Sequence, residues 1–346
     1  YIAWHQAPGG GTRVGMLLAS VMFSLISYYI LYSLVSLSFG LSVSLSLLVG
    51  YLPSYCDGSE NSGKRYWDWF ARHPIWTSII AYFPGSIEYA DRNSIDPKGQ
   101  YIFASHPHGP MSIHHGLYLT NGAGFHEVSP GQNRRDLGAD VIFRIPFYRE
   151  FALWIGLVRY AFVPESCCSA KASVCRKVLS QGKSLVTLVG GMDEQLLGSY
   201  GDHLVFVNDR KGFVKLAFEF GVPLVPVYCF GETDLYKTRF GVCIQIVSGL
   251  ALGLRKVLLK RLRVALPLAW GRWLCPFLPL KVLWLFMRVQ RRLACCVGKP
   301  ISVPRVPAPT QQQVDQKHQE YVNALRALFE TNKARFGCAD KQLVVC

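Results

Sequence analysis

The sequence lacks charge over a long stretch near its beginning. From Val14 to Cys56 no residue is charged, a span of 43 residues. At about 1.5 Å per residue, a straight helix of that length would be roughly twice as long as the ~30 Å hydrocarbon core of a bilayer. The polar patch Ser36–Ser42 divides the span, so we predict a membrane-embedded helical hairpin, or two short spans, within residues 1–56. The stretch is too long for a signal peptide, and no cleavage site follows it.

Acidic residues are missing from a second stretch, Leu235 to Val314. It contains fourteen Lys or Arg residues, whereas the rest of the chain has 23 basic and 22 acidic residues, so nearly all of the net charge of +15 lies here. Within residues 235–297 the basic residues alternate with Leu, Val, Trp and Phe. Such mixing favours a segment in a membrane interface over an ordinary amphipathic helix pair, and a nucleic-acid partner is not predicted.

Two kinds of motif are also absent. The eleven cysteines include no CxxC pair, which argues against a structural zinc site and against the disulfide framework of a secreted protein. No GxSxG sequence marks a nucleophilic serine. Cys167 and Cys168 have no base beside them in the sequence that would activate a thiolate. We therefore expect a protein with free thiols that faces the cytosol and does not form an acyl-enzyme.

From residue 57 to residue 346 the pattern is that of an α/β domain, a sheet flanked by helices. Apolar runs predict strands at residues 100–105, 183–189 and 222–230. Helices are predicted at residues 210–221, with glycine as the C-cap, and from Gln311 to about Arg335.

Four histidines lie within ten positions directly after the first predicted strand: His106, His108, His114 and His115. A metal site of this type would also need an Asp or Glu at short spacing, and none is present between them. A histidine with a pKa near ~6.5 can act as a general base, and open α/β sheets bind ligands at the carboxyl ends of their strands. A purely structural role remains the alternative for each single ring.

The sequence "VGGMDE" follows another predicted strand and brings a carboxylate to the same end of the sheet. We expect Gly190, Gly191 and Glu194 to lie beside the histidines, with Glu194 orienting one of them. Asp136 and Asp140 are predicted to be solvated loop residues.

Six motifs follow one another in the order seen in the type-2 diacylglycerol acyltransferase family, which includes monoacylglycerol and wax-alcohol acyltransferases. They are "YFP" (82–84), "HPHG" (106–109), "FRIPFYRE" (143–150), "VGGMDE" (189–194), "RKGFVKLAFEFGVPLVPVYCFGE" (210–232) and "VGKPISVP" (297–304). This resemblance implies a fold related to the glycerolipid acyltransferases, on the endoplasmic reticulum membrane with the site toward the cytosol, or at a lipid droplet surface. It also implies transfer of a fatty acyl group from acyl-CoA to a lipid hydroxyl.

The resemblance assigns residues by position. His106 and His108 match the family's active-site histidines, Glu194 its "GGxxE" carboxylate and residues 230–232 its "FGE" element. Four residues match basic positions and are candidates for the CoA phosphates: Arg144, Arg149, Arg210 and Lys211. The chain departs from the family pattern at Met192 and Asp193, and at His114 and His115.

The resulting hypothesis is a base mechanism without cofactor or metal, in which acyl-CoA is the co-substrate. His108, or alternatively His106, takes the proton of the acceptor hydroxyl while Glu194 holds the far nitrogen of the His108 ring. Backbone N–H groups near Gly109, Gly190 or Gly191 hold the oxyanion. Diacylglycerol is the default acceptor.

Other functions stay open at this point. Monoacylglycerol or a long-chain alcohol are alternative acceptors, and a metal-dependent membrane hydrolase or a non-catalytic membrane protein are alternatives of another class. A monomer and a homo-oligomer are both compatible with the sequence.

Overall fold

A computed structural model describes residues 39–82, 85–110, 112–160, 168–198, 200–236 and 293–346, together with a few helical positions between 15 and 25. Most of the basic segment predicted for the membrane interface, residues 237–292, lies outside the described residues, as do Phe83 and Pro84 of the "YFP" motif. The helices are α1 Phe39–Tyr55, α2 Asp68–Ala71, α3 Ile75–Tyr82, α4 His115–Leu119, α5 Tyr148–Trp154, α6 Cys168–Ser180, α7 Gly191–Leu197, α8 Gly212–Phe220 and α9 Gln311–Lys333. The strands are β1 Gly85–Tyr89, β2 Ile102–His106, β3 Arg134–Ala139, β4 Leu157–Tyr160, β5 Ser184–Leu188, β6 Leu204–Val205, β7 Leu224–Phe230, β8 Leu293–Val297 and β9 Val344–Val345.

The second half of the predicted hairpin is helical. Helix α1 has 17 residues and begins inside the patch Ser36–Ser42 that was expected to separate the two halves. Most of the first half lies outside the described residues. Among the described helices, none has both the length and the apolar character needed to cross a membrane. The predicted membrane hairpin therefore has no support from these helices.

Seven strands form one sheet in the order β1-β8-β7-β2-β5-β3-β4. All neighbours are parallel except β7 and β8, which are antiparallel. Strand β2 is central, between β7 and β5, and the predictions of β2, β5 and β7 are confirmed. The carboxyl ends of these three parallel strands therefore meet at one edge, which positions the residues that follow them.

Strand β3 was missed because it carries three charged residues in a row, Arg134, Arg135 and Asp136, which are all buried. The prediction that Asp136 is solvated is wrong: its Oδ1 lies 2.8 Å from Arg134 Nε. Asp140, also predicted to be solvated, is mostly buried. It pairs with Arg144, and its Oδ1 lies 3.1 Å from Arg159 Nε. Paired charges can be buried where isolated charges cannot, and composition alone does not reveal the pairing.

Helices cover both faces of the sheet. Alternate residues of β2 point to opposite sides: Ile102 and Ala104 pack in one apolar cluster with α6, α8 and α9, whereas Phe103 packs in another with Leu117 and Tyr118 of α4. Period-two alternation between two buried faces gives the continuous apolar runs from which the strands were predicted. Helix α9 lies against β7 and α8 and contributes one side chain to the site.

Candidate active site

His106 ends β2 and points into the interior. Its ring is buried, with Nδ1 3.3 Å from Glu194 Oε1 and Nε2 3.1 Å from the hydroxyl oxygen of Tyr321 on α9. The Tyr321 O–H donates to the Ala104 carbonyl oxygen at 3.1 Å, so the tyrosine oxygen faces His106 Nε2 as an acceptor. Both ring nitrogens are thus occupied, which leaves no lone pair for a substrate hydroxyl.

His108 lies two residues farther on, in the turn, and is half-buried. Its Nδ1 lies 2.8 Å from the carbonyl oxygen of Gly109. A carbonyl oxygen only accepts, so Nδ1 carries the proton and Nε2 carries the lone pair of the neutral ring. Burial lowers the pKa of the His108 imidazole, against the opposing effects of the Gly109 carbonyl and the Glu194 charge. The ring is therefore kept in the neutral form that a base requires.

Ser112 also contacts His108 and was missed by sequence reasoning. Its Oγ lies 2.9 Å from Nδ1 and 3.3 Å from Nε2 of the ring. It also lies 3.1 Å from the His108 carbonyl oxygen, to which the hydroxyl can donate. The residue has a φ of 52°, in the left-handed region. This positive φ closes the turn over the histidine, and nothing in the sequence signals it.

Glu194 contacts both His106 and His108. It was expected to hold the ring of His108. Instead, its Oε1 faces the ring of His106, and its Oε2 accepts from the backbone N–H of His108 at 2.5 Å. Because His106 is still on the strand and His108 is in the turn, the carboxylate meets the ring of the first and the backbone of the second. Burial would raise the pKa of Glu194, but the His106 ring and the N–H groups of His108 and Phe206 outweigh it and lower the pKa.

Two motif glycines make room for carboxylates. A Cβ on Gly190 would lie 1.9 Å from Glu194 Cδ, and a Cβ on Gly109 would lie 2.5 Å from Glu232 Cγ. The absence of a side chain at Gly109 thus lets the backbone of the turn approach Glu232.

Glu232 follows β7 and contacts the other end of the loop. It is fully buried and accepts from the backbone N–H groups of Ile113 and His114, each at 3.0 Å. Its Oε2 is 3.1 Å from His114 Nδ1. Burial acts to lower the pKa of His114, but the charge of Glu232 raises it overall. Sequence reasoning noted "FGE" and His114 without giving either a role.

The predicted phosphate-binding residues lie in different environments. Arg144 is exposed and pairs with Asp140; Arg210 pairs with Asp193, and Lys211 Nζ lies 2.8 Å from Asp315 Oδ1. Arg149, in contrast, is buried.

The guanidinium of Arg149 is surrounded by carboxylates, at 2.7 Å from Asp57, Glu60 and Glu150. It also donates to the Ser54 carbonyl oxygen at 3.0 Å. These contacts use its N–H groups in the interior, so the structure places Arg149 in an ion-pair cluster between the end of α1 and α5 rather than at a phosphate site.

The contacts of the histidines are pairwise. His106 meets Glu194, His114 meets Glu232, and His115 Nε2 lies 3.4 Å from Asp136 Oδ2. Within the part of the chain that the structure describes, no group of three or more His, Cys, Asp or Glu side chains is arranged to hold a metal ion.

Comparison with known proteins identifies the family to which the chain belongs. A family model described as diacylglycerol acyltransferase matches residues 37–346. The chain belongs to the diacylglycerol acyltransferase family. It is therefore an acyltransferase, and the resemblance seen in the sequence is confirmed.

Relatives with different acceptors in their names are similarly close to this family member. The chain is 33% identical to diacylglycerol O-acyltransferase 2 of Dictyostelium discoideum, over 83% of this chain and 81% of the relative. It is 31% identical to 2-acylglycerol O-acyltransferase 1 of Bos taurus, over 83% and 80%. It is 30% identical to acyl-CoA wax alcohol acyltransferase 2 of Mus musculus, over 83% and 80%.

The chain also aligns with a solved structure. The crystal structure of the 1-acyl-sn-glycerophosphate acyltransferase of Thermotoga maritima aligns with 93% of this chain and 95% of its own at a TM-score of 0.43 and 13% identity.

Proposed function

We propose that this acyltransferase moves a fatty acyl group from acyl-CoA to diacylglycerol and so makes triacylglycerol, with His108 as the general base. The similarity to a diacylglycerol O-acyltransferase supports diacylglycerol as the acceptor. Because relatives named for 2-acylglycerol and wax alcohol are almost as similar, monoacylglycerol and a long-chain alcohol are the second candidates.

The observation that carries the proposal is the position of the His108 ring. It is half-buried at the carboxyl end of β2, with Nδ1 held by the Gly109 carbonyl oxygen at 2.8 Å. In the proposed reaction Nε2 takes the proton of the acceptor hydroxyl, while the hydroxyl oxygen attacks the thioester carbonyl. The C–S bond then breaks, the proton passes to the sulfur, and CoA leaves as the thiol without an acyl-enzyme.

The remaining roles follow from the same edge of the sheet. Backbone N–H groups near Gly109, Gly190 and Gly191 are proposed to hold the oxyanion, and one such donor contributes roughly 3–4 kcal/mol. Arg144, Arg210 and Lys211 are proposed to bind the CoA phosphates, since their side chains are partly exposed. On binding CoA, these side chains would leave their carboxylate partners at the surface and contact phosphate oxygens instead.

The proposed reaction uses acyl-CoA as co-substrate and no metal or other cofactor. A metal-dependent hydrolase is the alternative of another class. The pairing of His106 with Glu194 and of His114 with Glu232 supports proton chemistry, since a catalytic zinc site has three protein ligands.

We place the protein on the endoplasmic reticulum membrane or a lipid droplet surface, with the site toward the cytosol. Support comes from the uncharged span of 43 residues and from large apolar side chains exposed near its end. These include Trp67, Trp69, Phe147 and Tyr148. Trp and Tyr are the side chains most typical of a membrane interface.

One experiment tests both the base and the acceptor. Isolated membranes containing the wild type or His108→Ala are given labelled acyl-CoA with diacylglycerol, monoacylglycerol or a long-chain alcohol, and the lipid products are separated. We expect triacylglycerol as the main product and its loss in His108→Ala, with the variant still in the membrane fraction. Near-normal acyl transfer by His108→Ala would show that His108 is not the base. If the main product comes from monoacylglycerol or the long-chain alcohol, that acceptor would replace diacylglycerol in the proposal.

A further inference from the structure

We propose that Glu232 is a positioning residue for catalysis, which fixes the loop that carries His108 from the side opposite Glu194. This inference rests on the proposed function of His108 as the base. It concerns a residue that never touches the reacting atoms and acts only through the loop.

The sheet topology places the two carboxylates on either side of one loop. The loop 107–114 leaves the central strand β2, whose neighbours are β5 on one side and β7 on the other. Glu194 comes from the helix that follows β5, and Glu232 comes directly after β7. Because the three strands are parallel, both carboxylates arrive at the carboxyl edge where the loop begins and ends.

The two carboxylates make matching contacts at the two ends of the loop. Glu194 accepts from the His108 N–H and contacts the His106 ring. Glu232 accepts from the Ile113 and His114 N–H groups and contacts the His114 ring. Each also packs where a glycine of the motifs lacks a side chain, Gly190 for Glu194 and Gly109 for Glu232. Gly109 is the residue whose carbonyl oxygen holds His108 Nδ1, so Glu232 packs against the backbone that sets the tautomer.

Burial makes these contacts strong. Glu232 is 0% exposed, and a buried carboxylate is stable only when it is fully hydrogen-bonded or paired. Its bonds to backbone N–H groups are charge-assisted and fix two successive residues of the loop. Since a catalytic group displaced by about 1 Å can lose about a hundredfold in rate, a change at Glu232 should reach His108 through the loop.

The test uses Glu232→Gln in the full-length protein in native membranes. Glutamine keeps the shape and one acceptor oxygen but presents an NH₂ group to the second backbone N–H. We expect kcat for acyl transfer to fall about 10- to 100-fold, with KM for acyl-CoA within twofold of the wild type. Hydrogen exchange of a peptide that covers residues 107–115 should become faster.

Glu60→Gln is the matched control, because Glu60 is also a buried carboxylate but bonds to Arg149 and Arg159, outside this loop. Its protein level is expected to fall without any change in kcat per molecule or in exchange of the 107–115 peptide. If Glu232→Gln does not accumulate, Glu232→Asp, which keeps the charge but shortens the reach, should show the same selective loss of kcat.

The outcomes separate this inference from the function on which it rests. A kcat within twofold of the wild type in the Glu232 variant, or a loss of activity that only follows the loss of protein as in Glu60→Gln, would overturn the role of Glu232. If that happens while His108→Ala is inactive, the base mechanism stands and Glu232 alone is excluded. Near-normal activity of His108→Ala would overturn both.

Discussion

At the scale of single residues, His106 and His108 are only two residues apart, yet their imidazole rings have different contacts and can therefore take different chemical roles. The first is enclosed by Glu194 and Tyr321, and the second reaches the surface of the turn. The sequence predicted that Glu194 would hold the ring of His108, whereas it contacts the ring of His106 and the backbone N–H of His108. Which atoms meet depends on where β2 ends and the turn begins.

The lowered pKa of His108 gives a pH prediction. A general base works in its neutral form, so activity is lost as the pH falls through the pKa of the folded protein. Because burial lowers that pKa from its ordinary value of about 6.5, we expect the acid limb of kcat at saturating acyl-CoA to lie below pH ~6.5. The measurement is a pH–rate profile in membranes, and an acid limb at or above pH 6.5 would contradict the assignment.

At the scale of secondary-structure elements, the cluster around Arg149 joins α1 to the rest of the molecule. Tyr51 near the end of α1 donates to Glu150 Oε1 at 2.9 Å, and Tyr55 donates to the Arg144 carbonyl oxygen at 3.2 Å. Together with Arg149 and its three carboxylates, these contacts fix the end of the apolar helix against α5.

Arg149→Met should therefore act on stability. It leaves the three carboxylates with two arginines, Arg65 and Arg159, in place of three. One carboxylate charge then has no partner, and removing one partner of a buried ion pair typically costs about 3–5 kcal/mol. We expect a lower midpoint of thermal unfolding, with KM for acyl-CoA unchanged in the folded fraction. Arg144→Met is the control for stability, because its side chain is 58% exposed and its loss should change the free energy of unfolding by no more than about 0.5 kcal/mol. A raised KM for acyl-CoA with unchanged stability would contradict this and would indicate that Arg149 binds the CoA phosphates.

At the scale of the whole molecule, an apolar surface extends from α1 to the aromatic residues beyond it. Six large apolar side chains are exposed among the described positions of α1: Val43, Leu45, Leu47, Leu48, Val49 and Leu52. Phe147 stacks on Tyr51 of α1, with ring centroids 5.1 Å apart, and is itself exposed. Exposed apolar side chains of this kind fit the proposed location, in which lipid would contact them.

This location predicts contact between lipid and two tryptophans, Trp67 and Trp69, which are 46% and 61% exposed. In vesicles that contain brominated lipid, replacing both by Phe should reduce the quenched fraction of tryptophan emission. The control is Trp76→Phe, since Trp76 packs on Phe70 and Phe151 and donates from Nε1 to the Phe70 carbonyl oxygen. Equal quenching in the double variant and the wild type would show that this surface faces away from the lipid.

The sequence by itself determined the family, the α/β class, three central strands and the residues at the carboxyl edge of β2. These features depend on local patterns, such as apolar runs, glycine positions and ordered motifs. Such patterns can be recognised in the sequence without knowledge of the tertiary structure. The tertiary structure alone decided that β3 buries its charges, that Arg149 belongs to an interior cluster and that Glu194 meets the ring of His106. It also placed Glu232 against the loop. Apart from the Arg134–Asp136 and Arg149–Glu150 pairs, the partners involved are distant in sequence. The free energy of a buried charge is set by its partners in space, which the sequence alone does not reveal.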